Sequence, residues 1–313
     1  MRKVDRCPVC NSNAIVEVAA LNNSSRERYL SYSDIKYAGL LDEWLNVLHP
    51  VIDQCKACGH HWYREQPSDD MLSTMYSQGR PLKAKTVKID RSVRPEMVTE
   101  MRRLRRLICK DKVTLLDYGS GFGRWARAAV EAGFEVTAFE PSKTRGTESS
   151  EVPFRYVCSL DEIAGQKFDA INLEQVLEHT PDPLGVLKMV ASFCDHNSVV
   201  RTTVPNILRC PEGKKIWDEW PFDGTRAHTM APFEHLHGFT PKSLETAFNN
   251  ANFVPVSGVK IWSLYPMQMS RKLIGKFIPK LGITWGMTRL SNKSSQQLSS
   301  LNRKNNSMGY LFH

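Results

Sequence analysis

One stretch near the middle of this chain, Val113 to Glu140, constrains the fold more than any other; it reads VTLLDYGSGFGRWARAAVEAGFEVTAFE. An apolar run, Val113 to Leu116, ends in Asp117, and a glycine-spaced turn follows with Gly119, Gly121 and Gly123. A helical pattern then runs to Gly133, and a second apolar run ends in Glu140. The order is strand, tight loop, helix, strand, with a carboxylate at the carboxyl end of each strand. Open α/β sheets bind ligands at that edge. The spacing also argues against a dinucleotide fingerprint. That motif needs G-x-G-x-x-G, because its third glycine lets the helix pack close to the pyrophosphate. Counted from Gly119, the third position is Arg124.

The pattern Asp117-Tyr118-Gly119-Ser120-Gly121-Phe122-Gly123 instead resembles the first motif of the class I S-adenosylmethionine-dependent methyltransferases. The resemblance implies a cofactor without phosphate, cradled by Asp117, Gly119, Ser120, Gly121 and Gly123. It also implies that Glu140, with Pro141 beside it, accepts hydrogen bonds from the ribose hydroxyls. A second run, FDAINLEQVLEHTPDP from Phe168 to Pro183, resembles the segment after the fourth strand in ubiquinone-biosynthesis-like and sugar methyltransferases. Glu174 falls there at the cofactor edge, with Glu178 and His179 one turn further on. A third run, Phe233-Glu234-His235-Leu236-His237-Gly238-Phe239-Thr240, resembles the Glu-His segment of the same enzymes. The implied fold is α/β, a doubly wound, seven-stranded, Rossmann-like methyltransferase sheet. The resemblance covers about residues 1–10 and 50–257, and the basic tail lies outside it.

Two cysteine pairs, Cys7-Pro8-Val9-Cys10 and Cys55-Lys56-Ala57-Cys58, open the chain. Each CxxC forms a tight turn that presents two thiolates, and two such turns make a tetrahedral Zn2+ site. A small zinc-ribbon-like module with an insertion at 11–54 is expected over residues 1–78, with a helix over Asp34 to Leu48. His60 or His61 could replace one thiolate, but four thiolates are the simpler set. Zinc-ribbon-bearing methyltransferases are often associated with sugar or polysaccharide modification. The resemblance therefore implies a small-molecule or carbohydrate acceptor.

The chemistry needs a group to take the acceptor's proton, and histidine suits that task near neutral pH. By resemblance the order of candidates is His235, His179, His237. Nucleobase-amine methyltransferases carry [DN]-P-P-[FY] after the fourth strand, whereas this chain reads Asn172-Leu173-Glu174-Gln175 there. That weakens a nucleic-acid acceptor. An RNA methyltransferase docking through the zinc ribbon and a basic helix stays as the alternative, and a non-catalytic binding protein of the same fold is the third reading.

Charge is unevenly placed within a net +9. After Glu245 there is no Asp or Glu, while Lys260, Arg271, Lys272, Lys276, Lys280, Arg289, Lys293, Arg303 and Lys304 follow. Eight of these nine fall in the tail 268–313, which is expected either to lie on an anionic membrane surface or to cap the sheet, with disorder from Ser291. No export signal is visible and no apolar run approaches the roughly 18 residues a spanning helix needs. A cytoplasmic protein is expected, with peripheral contact at the inner membrane surface as a variant.

Residues 79–112 read as a linker and a basic amphipathic helix over 92–110, before a methyltransferase domain at 113–267. Strands are expected at 113–117, 134–139, 154–158, 168–173, 198–204, 252–257 and 258–265. Helices are expected at 67–78, 123–132, 183–194 and 241–250. The long connection at 206–239 carries Trp217, Trp220, Pro221, Phe222 and His228, an aromatic set able to floor an acceptor site.

Overall fold

Short aliphatic and β-branched runs separated by amphipathic helices build the central sheet. The computed structural model describes residues 1–37, 39, 41–78, 92–142, 152–209, 229–256 and 283–290. The first part of the chain contains β1 (Arg2–Lys3), β2 (Ile15–Ala20), α1 (Asn23–Tyr37), α2 (Trp44–Val47), β3 (Val51–Cys55), β4 (His61–Tyr63), β5 (Glu65–Gln66), α3 (Asp69–Gln78) and α4 (Pro95–Arg106). Then come β6 (Thr114–Tyr118), α5 (Arg124–Glu131), β7 (Glu135–Phe139), β8 (Arg155–Val157), β9 (Phe168–Glu174), α6 (Pro183–Ser192), β10 (Cys194–Pro205), β11 (His237–Gly238), α7 (Pro241–Asn250), β12 (Phe253–Pro255) and β13 (Ile283–Leu290).

The main sheet runs β12-β13-β10-β9-β6-β7-β8. Strands β10, β9, β6, β7 and β8 are mutually parallel. Strand β13 pairs antiparallel with β10, and β12 antiparallel with β13. Strand order reverses between β6 and β9, and a ligand crevice opens outside the carboxyl ends at such a switch point. Strand β13, lying between β12 and β10, corrects the sequence reading, which left 283–290 in a basic tail. Its first six residues, ITWGMT, alternate apolar with polar or small residues at a period of two, which suits a strand better than an amphipathic helix. The strand expected at 258–265 lies outside the described residues, as do the rest of the tail and the aromatic set at 217–228. Among the described residues no helix is long and apolar enough to cross a membrane.

The helices start where their caps dictate. Helix α4 begins with Pro95 in its first turn and buries Met97, Val98, Met101 and Leu104. These pack with Ala126, Ala128 and Ala129 of α5. The small alanines let the helix after the glycine loop lie close to the sheet. Helix α7 matches its expected bounds, because Thr240 accepts from the Ser243 N–H at 3.1 Å and Pro241 fixes the first turn.

The N-terminal region differs from its expected layout. In place of one helix over Asp34 to Leu48, α1 starts at Asn23 and only a single turn, α2, follows later. Asn22 is the cap, its Oδ1 accepting from the Ser25 N–H at 2.8 Å, and Gly39 at φ +78° sits in the break between the helices. Strands β2, β3 and β4 form an antiparallel sheet that β11 completes, in the order β11-β4-β3-β2. Since β11 comes from the connection between β10 and β12 of the main sheet, the cysteine-bearing region is sewn into the rest of the molecule. Cys7, Val9, Cys55, Cys58 and Trp62 share one core with Leu116, Phe139, Phe239, Leu244 and Phe248.

Candidate functional site

The glycine loop lies at the switch point. The N–H groups of Gly119 and Ser120 both donate to Phe139 O at 2.9 Å, which ties the loop to the end of β7. Gly119 has φ +73°, and a Cβ there would stand 2.8 Å from Val176 Cγ2, so only glycine fits. Gly121 also has a positive φ, +56°, but a Cβ there would meet nothing within 4 Å. Backbone next to open space is where a ligand can approach closely. Gly123 caps α5, and Tyr156 braces the loop from β8 by donating to Gly121 O at 2.9 Å. Ser120 donates to the Tyr156 oxygen at 3.4 Å.

Glu140 is buried at the tip of β7. Its Oε2 accepts from the Gly121 N–H at 2.9 Å and its Oε1 from the Ser142 N–H at 3.1 Å. Pro141 follows it, exposed. Asp117, at the end of β6, is also buried. Its Oδ1 accepts from Asn172 Nδ2 at 2.8 Å, and its Oδ2 has no hydrogen-bond partner. Arg201 on β10 donates to Asn172 Oδ1 and to Glu174 Oε2, each at 2.7 Å, and lies 4.4 Å over the Trp125 ring. Glu174 therefore belongs to an ion pair within the sheet edge. Asn172, Arg201, Trp125 and Tyr156 were missed by sequence reasoning. Arg201 did leave a signal, a lone cation inside the strand-like, mostly β-branched run SVVRTTV.

Beyond the end of β9, residues from two distant stretches, 178–179 and 229–235, meet. His179 and His235 are in edge-to-face contact with ring centroids 4.6 Å apart. His179 Nδ1 lies 2.7 Å from Glu234 O, and His235 Nδ1 lies 3.0 Å from Thr229 O. A carbonyl only accepts, so each Nδ1 carries a proton, and in the neutral ring Nε2 is the basic nitrogen. Glu178 is fully buried with neither carboxyl oxygen hydrogen-bonded. Burial holds its pKa well above the usual carboxylate range, and Glu174 adds to the effect. Glu178, His179 and His235 each offer one ligand atom, and these lie within 4.8 Å of one another. Such a set could hold a divalent cation as well as a proton.

His237 stands apart from this pair. It lies in β11, stacked on His60 with its Nδ1 3.1 Å from His60 Nε2. Burial pushes its pKa down to about 3. A buried imidazole of that basicity makes a poor proton acceptor, so His237 leaves the set of candidate bases and packs the seam beneath the cysteine turns.

The N-terminal region roofs the histidine pair. Tyr29 of α1 donates to Pro232 O at 3.2 Å, and Tyr63 of β4 donates to Met230 O. Phe233, at φ +67°, receives Tyr29 and Trp44 edge-on. Tyr76 of α3 meets the His179 ring edge-on, with centroids 6.5 Å apart.

The sulfurs of Cys7, Cys10, Cys55 and Cys58 converge within 4.8 Å, with Cys7 to Cys58 at 3.6 Å and Cys10 to Cys55 at 3.5 Å. A tetrahedral zinc with bonds of about 2.3 Å places its sulfurs about 3.8 Å apart, so the donor set fits that ion. Each turn closes on a residue with positive φ, Asn11 after the first pair and Gly59 after the second.

Fold and site together define an open α/β ligand-binding domain with a glycine loop at the switch point. Residues 90–257 match a family described as a methyltransferase domain, and the chain belongs to that family. Curated relatives include a ubiquinone biosynthesis O-methyltransferase from Xanthomonas campestris pv. campestris, 34% identical over 90 residues, covering 25% of this chain and 37% of the relative. One from Rhodopseudomonas palustris is 26% identical over 163 residues, covering 44% of this chain and 62% of the relative. The chain thus spans less than two thirds of the relatives it matches. Similar solved structures include an S-adenosylmethionine-dependent methyltransferase from Mesorhizobium loti, at 14% identity and TM-score 0.42, covering 61% of this chain and 97% of that one. Another is the Burkholderia thailandensis 1,6-didemethyltoxoflavin-N1-methyltransferase with bound S-adenosylhomocysteine, at 16% identity and TM-score 0.45, covering 77% and 96%.

Proposed function

We propose that this protein transfers a methyl group from S-adenosylmethionine to a small or carbohydrate-like acceptor, and that a structural zinc ion holds its N-terminal region. The observation that carries the reading is the cradle at the switch point. Open space lies over Gly121, whose N–H holds the Glu140 carboxylate, and Asp117 at the same sheet edge keeps one oxygen unpartnered. A carboxylate beside a glycine turn suits a ribose diol, and a second, unpartnered one suits a cationic amino-acid end.

When bound, S-adenosylmethionine supplies an electrophilic methyl group on its sulfonium. The chain's own residues do the rest. Glu140 accepts from the ribose hydroxyls, and the glycine loop lets backbone approach the cofactor. His235 receives the acceptor's proton at Nε2, because its Nδ1–H is committed to Thr229 O. His179 braces His235 from the side. Tyr29 of α1 and Trp44 of α2 hold the turn at 232–233, and Tyr76 of α3 meets the His179 ring, so His235, itself buried, receives the proton at a defined atom. The four cysteines would hold zinc as thiolates. Without an ion, the neighbouring Cys58 thiol and burial both raise the pKa of Cys7.

Calorimetric titration of the intact protein with S-adenosylmethionine tests the reading directly. Binding with one site per chain is expected, and absence of binding would overturn it. Methyl transfer to a panel of nucleotide sugars, followed by mass spectrometry, then seeks the acceptor.

A further inference from the structure

Asp117, Asn172 and Arg201 stand side by side on three adjacent parallel strands. The β6–β9 register pairs Asp117 with Asn172, and the β9–β10 register pairs Asn172 with Arg201. All three are buried. A buried guanidinium is costly unless its hydrogen bonds do something for the fold or for a ligand. Here it fixes an orientation. A guanidinium only donates, so the Asn172 atom at 2.7 Å from it must be the amide oxygen. The Asn172 NH2 then has to face Asp117, where it donates to Oδ1 at 2.8 Å. One carboxyl oxygen is thereby occupied; the other, Oδ2, is buried without a hydrogen bond of good geometry, and the Ala126 N–H of α5 faces the same carboxyl.

We infer that Arg201 is a positioning residue for the cofactor: by orienting the Asn172 amide it holds Asp117 with one oxygen free for the ammonium group of S-adenosylmethionine. The inference rests on the cofactor reading above and adds to it a residue on β10, remote in sequence from the glycine loop. The Trp125 face beneath the guanidinium and the Glu174 carboxylate beside it keep Arg201 in place.

A proton link follows. The groups that face Asp117 are Asn172 and Glu174 on β9, Arg201 on β10, the Ala126 N–H on α5 and Tyr156 on β8. Burial is the largest influence and pushes the Asp117 pKa up to about 7; Asn172 opposes it, Glu174 adds to it, and Arg201 and Ala126 oppose it. A cationic ligand needs the carboxylate, so binding expels the proton that Asp117 holds in part of the molecules near neutral pH. Tyr156 stays neutral throughout, its own pKa raised to about 12.

The test is calorimetry with S-adenosylmethionine between about pH 5.5 and pH 7, where the ligand's ammonium stays charged. Repeating it in buffers of different ionisation enthalpy counts protons. Wild-type protein is expected to bind more tightly as pH rises, by about tenfold or more over that range, with release of up to one proton. Arg201→Gln should weaken binding at neutral pH by at least about tenfold and move the pH limb upward, since a cation that favours ionised Asp117 is gone. Arg201 is buried, so Asn172→Leu is the companion variant. It keeps the guanidinium, removes the relay, and is expected to give the same loss. Circular dichroism and thermal melting check that each variant folds. Wild-type binding with no proton release, or folded variants that keep wild-type affinity and pH dependence, would overturn the inference while leaving the cofactor reading intact. No binding by the wild type would remove both.

Discussion

The two halves of the candidate site are built in opposite ways. The cofactor side is mostly local: Asp117, the glycine loop and Glu140 occupy one strand–loop–helix–strand unit, with Tyr156 of β8 and Asn172 of β9 as hydrogen-bond partners from neighbouring strands of the same sheet. The acceptor side is assembled. Glu178 and His179 follow β9, His235 arrives more than fifty residues later, and Tyr29, Trp44, Tyr63 and Tyr76 come from the N-terminal region. A local cradle can form wherever its sheet forms. An assembled pocket depends on every element that grips it. Cofactor binding should therefore tolerate damage to the N-terminal region, and acceptor chemistry should not.

Metal removal probes this difference most strongly, because structural zinc contributes on the order of 10 kcal/mol to small metal-held folds. One zinc per chain is expected on metal analysis, lost on Cys55→Ser. In hydrogen exchange, chelation should expose β2, β3, β4 and the paired β11, together with the turn that carries His235. Strands β6, β7 and β9 should keep their protection. Uniform loss across both regions would mean that the halves fold as one unit. A second equivalent of metal would make Glu178, His179 and His235 ligands rather than a base and its neighbours.

Next in size is His235→Ala. It should lower turnover by roughly 10²–10⁴-fold, the usual range for a lost general base. Cofactor affinity should hardly move, and His237→Ala should cost far less turnover because that ring lies in the seam. Full activity in the His235 variant would shift the base to His179 or show that none is needed.

The two halves were also unequally legible. The glycine loop was readable because backbone strain and close approach leave few residue choices over a short span, and α7 because its Thr-Pro start is a cap with a mechanism. Strand β13 was misread because its period-two alternation covers only six residues, Ile283 to Thr288, within a basic and polar stretch, so little besides its pairing with β10 and β12 marks it. Helix α1 was misplaced because its start is marked by Asn22 alone, while the heavier apolar cluster further on suggested a helix there. The Arg201 relay and the aromatic roof left almost no local trace. Their meaning lies in registers and contacts between stretches far apart in the chain, such as Tyr29 to Pro232. His235 and His179 could be named from their motifs, but their meeting at 4.6 Å could not.

Glu140→Ala tests the local half at intermediate size. Loss of the carboxylate would strand the ribose hydroxyls and the Gly121 N–H, and should weaken S-adenosylmethionine binding by roughly 1–3 kcal/mol. The hydrogen-exchange pattern around β11 and the His235 turn should not change. If it did, the cradle and the assembled pocket would be coupled, and the contrast between them would fail.

The smallest expected effect falls on the assembled half. Tyr29→Phe keeps the ring in contact with Phe233 and removes one buried hydroxyl, so Pro232 O loses its donor. A single neutral hydrogen bond is worth about 1 kcal/mol net, and an unsatisfied buried carbonyl adds to the loss. Denaturant unfolding should show destabilisation of that order. The more telling readout is functional. Pro232 lies three residues before His235, in a turn whose Met230 and Pro232 carbonyls are both held by tyrosines of the N-terminal region. If the roof positions the base, Tyr29→Phe should lower the acceptor's kcat several-fold while its KM and the cofactor affinity stay near wild type. A variant that loses stability but keeps kcat would make α1 a passive cover, and the histidine pair would then be held from its own side of the sheet alone.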